Sequence, residues 1–99
     1  MVKLVALFTA PPDPDAFDRH YREIHLPLIE RWPGLRRLEA GKVTGAVGGA
    51  APIYRIAEMY FDDMDALRAA MRSPEGRAAG DDMQTFARGL VTMLYVQVG

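Results

Sequence analysis

The chain has 99 residues and carries 12 basic against 13 acidic side chains, so it lacks the basic field that would hold a nucleic acid. It contains no cysteine, which excludes disulfides, iron–sulfur clusters, thiolate zinc sites and a cysteine nucleophile. Hydrophobic residues make up 49% of the chain even before glycine is counted. We therefore expect a single domain over residues 1–99 that uses apolar surface for a ligand, a second subunit or both.

The first two predicted elements are a strand and a helix. Residues 2–9 are apolar on both alternating faces, as in a central strand that is covered on both sides. Asp13 can cap the following helix and Pro14 suits its first turn. Pro27 removes a backbone donor inside this helix, which predicts a kink or a break near Leu26. The buried stripe of the helix is predicted to consist of Phe17, Tyr21, Ile24 and Leu28.

Two strands, a second helical region and a last strand complete the chain. Residues 35–44 and 53–61 alternate as strands do, and the glycine-rich segment 45–52 connects them. The second helical region is interrupted by a new helix start at Ser73, which proline follows directly. Residues 90–98 form the final predicted strand.

The order β-α-β-β-α-β predicts an α+β, ferredoxin-like fold, with a four-stranded antiparallel sheet and two helices on one of its faces. In a monomer the other face would be uncovered, although large apolar residues fall on both faces of the strands. Packing two such faces together would bury them. The sequence therefore predicts a homodimer, a dimeric α/β barrel whose sheets enclose a cavity beside the first helix.

No segment of the sequence is typical of a membrane span or a secretion signal. The longest apolar runs, such as residues 91–98, are far shorter than the ~18 residues that a span needs. The apolar start over residues 1–10 is also too short for a signal peptide. We expect a cytoplasmic protein with neither a membrane nor a nucleic acid as its partner.

The candidate catalytic residues lie on the first helix, which carries both histidines of the chain, His20 and His25. Regular α-helical geometry would project these two side chains about 140° apart, which is poor for chelating one metal ion, so no metal site is predicted. A single histidine beside an apolar cavity can act as an acid, a base or a hydrogen-bond donor near neutral pH. The alternative is that each histidine only caps or packs.

Aromatic residues and methionines are the candidates for a ligand pocket. Tyr21 lies on the predicted buried stripe, and its hydroxyl needs a partner if the ring is fully buried. The tryptophan that precedes Pro33 either lines a cavity or covers the end of the helix. The strand aromatics suit a core or a subunit interface as well as a ligand. The predicted pocket residues are Phe8, Trp32, Tyr54, Met59, Phe61, Phe86 and Tyr95.

The pattern on the first helix resembles that of the EthD family, an H-Y-x-x-x-H-x-P-L motif followed shortly by P-G-L. The matching residues here are His20, Tyr21, His25, Pro27, Leu28, Pro33, Gly34 and Leu35. The segments 58–61, 73–76 and 81–86 are also similar to the family's pattern, so the resemblance extends over nearly the whole chain.

The resemblance implies a dimeric α/β barrel, in agreement with the predicted order of elements. The family takes its name from an accessory role in bacterial ethyl tert-butyl ether degradation beside a cytochrome P450 system. Related dimeric barrels include cofactor-free monooxygenases, polyketide cyclases, lactone isomerases, dehydratases and decarboxylases. By this resemblance His25 is the first candidate for a polar group facing the cavity, and His20 and Tyr21 come second.

Two functions are compatible with the sequence, beside a third possibility that the dimer has lost any ligand role. In the first, the protein is an enzyme without a metal or an organic cofactor that acts on a small apolar or aromatic compound. His25 would move a proton, and His20 or Tyr21 would position or polarise a substrate oxygen. In the second, the protein is a non-catalytic binding or accessory protein that supports an oxygenase system such as ether degradation.

Overall fold

The computed structural model describes residues 1–99, and its elements follow the predicted order. The sheet is antiparallel throughout, with the strand order β2-β3-β1-β4, which confirms the ferredoxin-like α+β fold. No helix combines the length and the hydrophobicity that crossing a bilayer requires. The elements are β1 (Val2–Phe8), α1 (Pro14–His20), a π-helical segment (Tyr21–His25), α2 (Leu26–Glu30), β2 (Arg37–Lys42), β3 (Arg55–Phe61), α3 (Met64–Arg72), α4 (Pro74–Phe86) and β4 (Val91–Gln97).

The core lies between the helices and one face of the sheet. On that face Leu4 pairs with Met59 and Ala6 pairs with Ala57, and all four residues are buried. Phe8 at the end of β1 is fully buried as well. Side chains on the central strands alternate between faces, so the predicted alternation places these residues against the helices correctly.

The opposite face of the sheet carries no helix. Its central residue Val5 pairs with Leu94, and Leu94 is 43% exposed. Beside them, Lys3 forms a 2.8 Å ion pair with Glu58. This open face therefore combines the exposed Leu94, the buried Val5 and half-buried aliphatic neighbours with a pair of opposite charges.

After Tyr21 the first helix buries a different side from the one that regular α-helical spacing predicts. His25 and Ile29 are buried, whereas Ile24 is 48% exposed, so the predicted stripe is wrong at Ile24. Leu28 is half-buried and packs against the core. The cause is the π-helical segment, in which the N–H of Leu26 donates to the carbonyl of Tyr21, five residues back. One extra residue in this turn moves every later side chain round the helix by one position.

The π-helical segment takes the place of the kink that the proline predicts. Pro27 has no N–H to donate, so a regular α-helix would leave one carbonyl of the preceding turn without its bond. The wider turn ends directly before Pro27, which occupies the first turn of α2. The backbone stays helical through His25 and Leu26 into α2, so proline sits here inside a continuous helical run, at the point where the hydrogen-bond register changes.

The corner between α3 and α4 is formed by Ser73 and Gly76. The Ser73 hydroxyl accepts a 3.0 Å hydrogen bond from the N–H of Gly76, which confirms the predicted second helix start. A Cβ at Gly76 would overlap the carbonyl oxygen of Ala70 and lie 2.6 Å from that of Met71. Because both obstacles are backbone atoms, the corner closes only with glycine at this position.

We expect Gly76→Ala to lower the free energy of unfolding by about 1–3 kcal/mol, the usual cost of forcing extra atoms into a packed site. Gly80→Ala is the matched control on the same helix, since nothing lies within 4 Å of its added Cβ. It should raise stability by up to about 1 kcal/mol, because alanine is the better helix former. Urea unfolding followed by circular dichroism measures both changes, and equal effects of the two substitutions would contradict the close approach at Gly76.

Candidate active site

A pocket of about 370 Å³ lies between the helices and the core face of the sheet. Twelve of its eighteen lining residues are hydrophobic. The lining comes from the central strands, from β4, from the first helical region with Trp32 and from the α3–α4 pair. The pocket belongs to one chain and lies on the helix side of the sheet. The predicted chamber between the sheets of two subunits would lie on the opposite side.

His25 is buried, with 1% of its surface exposed. The π-helical segment turns it inward, where it borders the pocket. Its Nδ1 lies 2.9 Å from Oδ2 of Asp82 on α4. Burial lowers the pKa of His25 below its ordinary value, and the neighbouring Asp82 only partly opposes this effect. The imidazole is therefore neutral at neutral pH.

Asp82 joins both histidines. Its second oxygen, Oδ1, lies 2.7 Å from Nε2 of His20, so one carboxylate connects α4 to two positions of the first helical region. The Phe86 ring stacks on the His20 ring, with the ring centroids 4.6 Å apart, and packs at a tilt of 50° against the His25 ring, with the centroids 4.8 Å apart. The angle of about 140° that α-helical geometry predicts does not apply, because the π-helical turn brings the two side chains to the same carboxylate.

The carboxylate determines which nitrogen of His25 carries the proton. An ionised carboxylate can only accept hydrogen bonds, so the neutral His25 ring donates its Nδ1–H to Asp82. Its Nε2 then holds a lone pair, and no group of the protein hydrogen-bonds to this buried atom. This arrangement orients a neutral imidazole as a proton acceptor.

Two further buried side chains at the pocket have polar atoms without a partner in the protein. They are the hydroxyl of Tyr21, which is 1% exposed, and the indole Nε1 of Trp32, which is 8% exposed. Burial raises the pKa of the Tyr21 hydroxyl to about 12, although the Arg55 guanidinium over its ring opposes the shift. The Tyr21 hydroxyl therefore keeps its proton at neutral pH and remains able to donate it in a hydrogen bond.

The predicted pocket residues divide into two groups. Phe8, Trp32 and Met59 border the pocket together with Tyr21 and His25. The others do not border it, and neither does His20. These are Phe61, which packs beside Trp32; Phe86, which packs against both histidines; Tyr54, whose hydroxyl donates to Asp18; and Tyr95, which is 58% exposed with its hydroxyl near the sulfur of Met71.

Asp82 is the residue for which the sequence reasoning assigned no role. The signal for it is its spacing, since it lies three residues after Ala79 and four before Phe86, on the apolar stripe of α4. A carboxylate on a core-facing stripe requires a partner. Four of the six methionines border the pocket, namely the predicted Met59 together with Met71, Met83 and Met93.

The geometry gives no candidate metal centre, since no group of three or more histidine, aspartate or glutamate side chains could hold an ion. The acidic and basic residues that border the pocket, Arg77 and Asp81, belong to the exposed side of α4. The titratable chemistry at the buried end of the pocket is therefore that of His25 and Tyr21.

We expect the His25 ring to titrate below its ordinary pKa of 6.5 in the folded protein. Because the unfolded chain then binds the proton more readily, stability from the neutral ring is complete above about pH 6.5 and is lost as the pH falls towards the folded pKa. Asp82→Asn should lower the pKa of His25 further, since Asp82 raises it. Two-dimensional NMR of the imidazole nitrogens, with His20→Gln to assign the signals, measures both shifts. Titration of His25 above pH 6.5 would contradict this account.

Comparison with known proteins places these residues in a family. The chain matches the model of the EthD domain over residues 10–89. An uncharacterised 11.0 kDa protein from the thcB–thcC intergenic region of Rhodococcus erythropolis is 38% identical over 95 residues, which cover 96% of this chain and 92% of the relative. An EthD family protein from Bacillus halodurans is 41% identical and superposes with a TM-score of 0.96 over 100% of this chain and 99% of that chain.

More distant structures share the fold. A dimeric ferredoxin-like protein of unknown function from Thermobifida fusca is 18% identical and superposes with a TM-score of 0.73 over 98% of this chain and 90% of that chain. SnoaB, a cofactor-independent oxygenase from Streptomyces nogalater, is 20% identical and superposes with a TM-score of 0.63 over 95% of this chain and 86% of that chain. The family model covers most of the chain and both closer relatives match it almost end to end, so this chain belongs to the EthD family.

Proposed function

We propose that this protein is a cofactor-free enzyme that binds a small apolar or aromatic compound in the pocket and uses His25 as a general base. The observation that carries the proposal is the buried His25, whose Nδ1 is held by Asp82 and whose Nε2 has no partner in the protein. A base near neutral pH needs a pKa near or below the working pH, and burial of His25 supplies this property.

In the proposed reaction Nε2 of His25 accepts a proton from an acidic C–H or O–H group of the substrate. The imidazolium that forms is stabilised by the negative charge of Asp82 at 2.9 Å. The Tyr21 hydroxyl, kept protonated by its raised pKa, is available to donate to the oxygen on which negative charge develops. His20 contacts Asp82 and does not border the pocket, so we assign it a positioning role rather than contact with the substrate.

Removal of a proton is an early step common to isomerisation, cyclisation, decarboxylation of suitable acids and oxygenation without a cofactor. SnoaB, which shares this fold, is a cofactor-independent oxygenase, and that resemblance supports the last of these classes. The cytoplasmic location expected from the sequence is compatible with any of them. The alternative function, an accessory protein that carries the compound for an oxygenase system such as ether degradation, requires binding but no proton transfer. Measurement of proton transfer therefore separates the two.

The bicyclic ketone 2-tetralone is a suitable probe, because its benzylic hydrogens next to the carbonyl are acidic. In deuterated buffer, transfer of one such proton to His25 gives the enolate, which takes up deuterium on return. We expect the protein to accelerate this exchange, and His25→Gln to reduce the acceleration at least a hundredfold, within the usual ~10²–10⁴ range for a general base. Proton NMR follows the exchange.

The matched control for this experiment is Glu30→Gln, a substitution at an exposed position of α2 that should leave the exchange rate unchanged. Binding of 2-tetralone by the wild-type protein is checked separately through the fluorescence of its single tryptophan, Trp32, which borders the pocket. Binding without exchange would favour the accessory function. Exchange that survives His25→Gln would remove His25 from the mechanism.

We further propose that the protein is a homodimer whose open sheet faces pack together, as predicted from the sequence. The exposed Leu94 and the half-buried Leu7, Ile56 and Val96 of that face support this, because large apolar patches are uncommon on monomers. The dimeric Thermobifida fusca protein of the same fold also supports it. Such a dimer would leave each pocket within its own subunit, on the helix side of the sheet.

Leu94→Glu should weaken dimerisation at least tenfold, because it places a carboxylate next to Val5 on the open face. Ala78→Glu, at an exposed position of α4 on the opposite side of the sheet, is the control and should leave the dimer intact. Sedimentation velocity at micromolar concentration measures the effect. A wild-type chain that sediments as a monomer under these conditions would contradict the proposed dimer.

A further inference from the structure

We infer that the natural ligand carries both a proton-donating hydroxyl and a separate hydrogen-bond-accepting oxygen on an apolar ring framework, as in a hydroxylated aryl ketone. This rests on the proposed function in placing the ligand in the pocket, and it goes further by naming the ligand's polar groups. The polar atoms involved are Nε2 of His25, Nε1 of Trp32 and the hydroxyl of Tyr21, which are the buried side-chain polar atoms without a partner in the protein.

Each of the three atoms needs a particular kind of hydrogen-bond partner. Trp32 has only an N–H, so it can be satisfied only by an acceptor. His25 gives its Nδ1–H to Asp82, so its Nε2 can be satisfied only by a donor. Tyr21 keeps its hydroxyl proton and can pair with either kind of group. The pocket therefore requires a donor and an acceptor from the same ligand.

Because these atoms are buried, their hydrogen-bonding requirements discriminate between ligands. All three side chains are more than nine-tenths buried, and all three residues border the same pocket. A buried polar atom left without a partner is costly, whereas the apolar walls discriminate little between ligands of similar shape. A hydrocarbon would satisfy none of the three atoms. A simple ether would satisfy Trp32 but would leave Nε2 of His25 without a donor.

The remaining walls indicate the framework of the ligand. Their hydrophobic part consists of Phe8 from β1, four methionines from β3, β4 and the α3–α4 pair, and smaller aliphatic side chains. Methionine adapts its shape to a bound group and packs well against aromatic rings. The volume of about 370 Å³ lies at the small end of the range for ligand pockets, which favours a framework of one or two rings.

Three bicyclic probes of closely similar shape test the inference by isothermal titration calorimetry. The probe 6-hydroxy-1-tetralone has both groups, 6-methoxy-1-tetralone lacks the donor, and 5,6,7,8-tetrahydro-2-naphthol lacks the carbonyl. We expect the wild-type protein to bind the hydroxyketone about tenfold more tightly than either of the other two, the usual effect of leaving one buried group unpaired.

Two variants assign the preference to the named residues. In Trp32→Phe, which keeps an aromatic ring without the N–H, the advantage of the hydroxyketone over the tetrahydronaphthol should disappear. In His25→Leu, its advantage over the methoxyketone should disappear. If His25→Leu does not fold, because Asp82 loses a partner, the wild-type comparison of the hydroxy and methoxy ketones still tests the same point.

Equal affinity of the wild-type protein for the hydroxy and methoxy ketones would overturn the inference, and so would failure of the hydroxyketone to bind. Either result would mean that water rather than a ligand satisfies the buried atoms. Failure of the exchange reaction of 2-tetralone would instead overturn the catalytic role of His25 and leave the binding preference standing. The two sets of measurements therefore fail independently.

Discussion

The candidate site depends on the contact between His25 and Asp82. It joins the first helical region to α4 across the core, and it exists only because the π-helical segment turns His25 inward. The same carboxylate also bonds to His20. Asp82 therefore holds α4 against two positions of the first helical region. Removing either His25 or Asp82 would leave the other buried polar group without this partner, which costs much more than losing a surface hydrogen bond.

This contact has consequences for chemistry as well as for packing. The carboxylate fixes the proton on Nδ1, and burial disfavours the charged ring, so Nε2 keeps its lone pair without a partner in the protein, on a residue that borders the pocket. Preorganised polar groups of this kind are effective in apolar surroundings, because no solvent has to be rearranged when charge develops. The apolar walls of the pocket therefore make the His25–Asp82 pair more effective as a base.

The two faces of the sheet serve different purposes in this account. The core face carries the pocket, with Ala6 and Met59 as part of its floor. The open face carries Val5 and Leu94, which pair across the neighbouring strands β1 and β4. Because side chains alternate along each strand, substitutions at adjacent positions of one strand affect different surfaces. A subunit interface on the open face would support the sheet without entering the pocket.

The sequence by itself determined the class of fold, the position of the strands, the second helix start at Ser73 and the family to which the chain belongs. These features follow from local signals: alternation of apolar residues, capping residues and a motif of adjacent positions on the first helix. The sequence also singled out His20, Tyr21 and His25 as candidates. Their arrangement was decided only by the tertiary structure. Regular α-helical spacing points Ile24 rather than His25 inward, and only the π-helical turn beside Pro27 reverses this. Asp82 lies more than fifty residues away along the chain, and nothing local indicates that its carboxylate meets both histidines, because that contact depends on how α4 packs across the sheet.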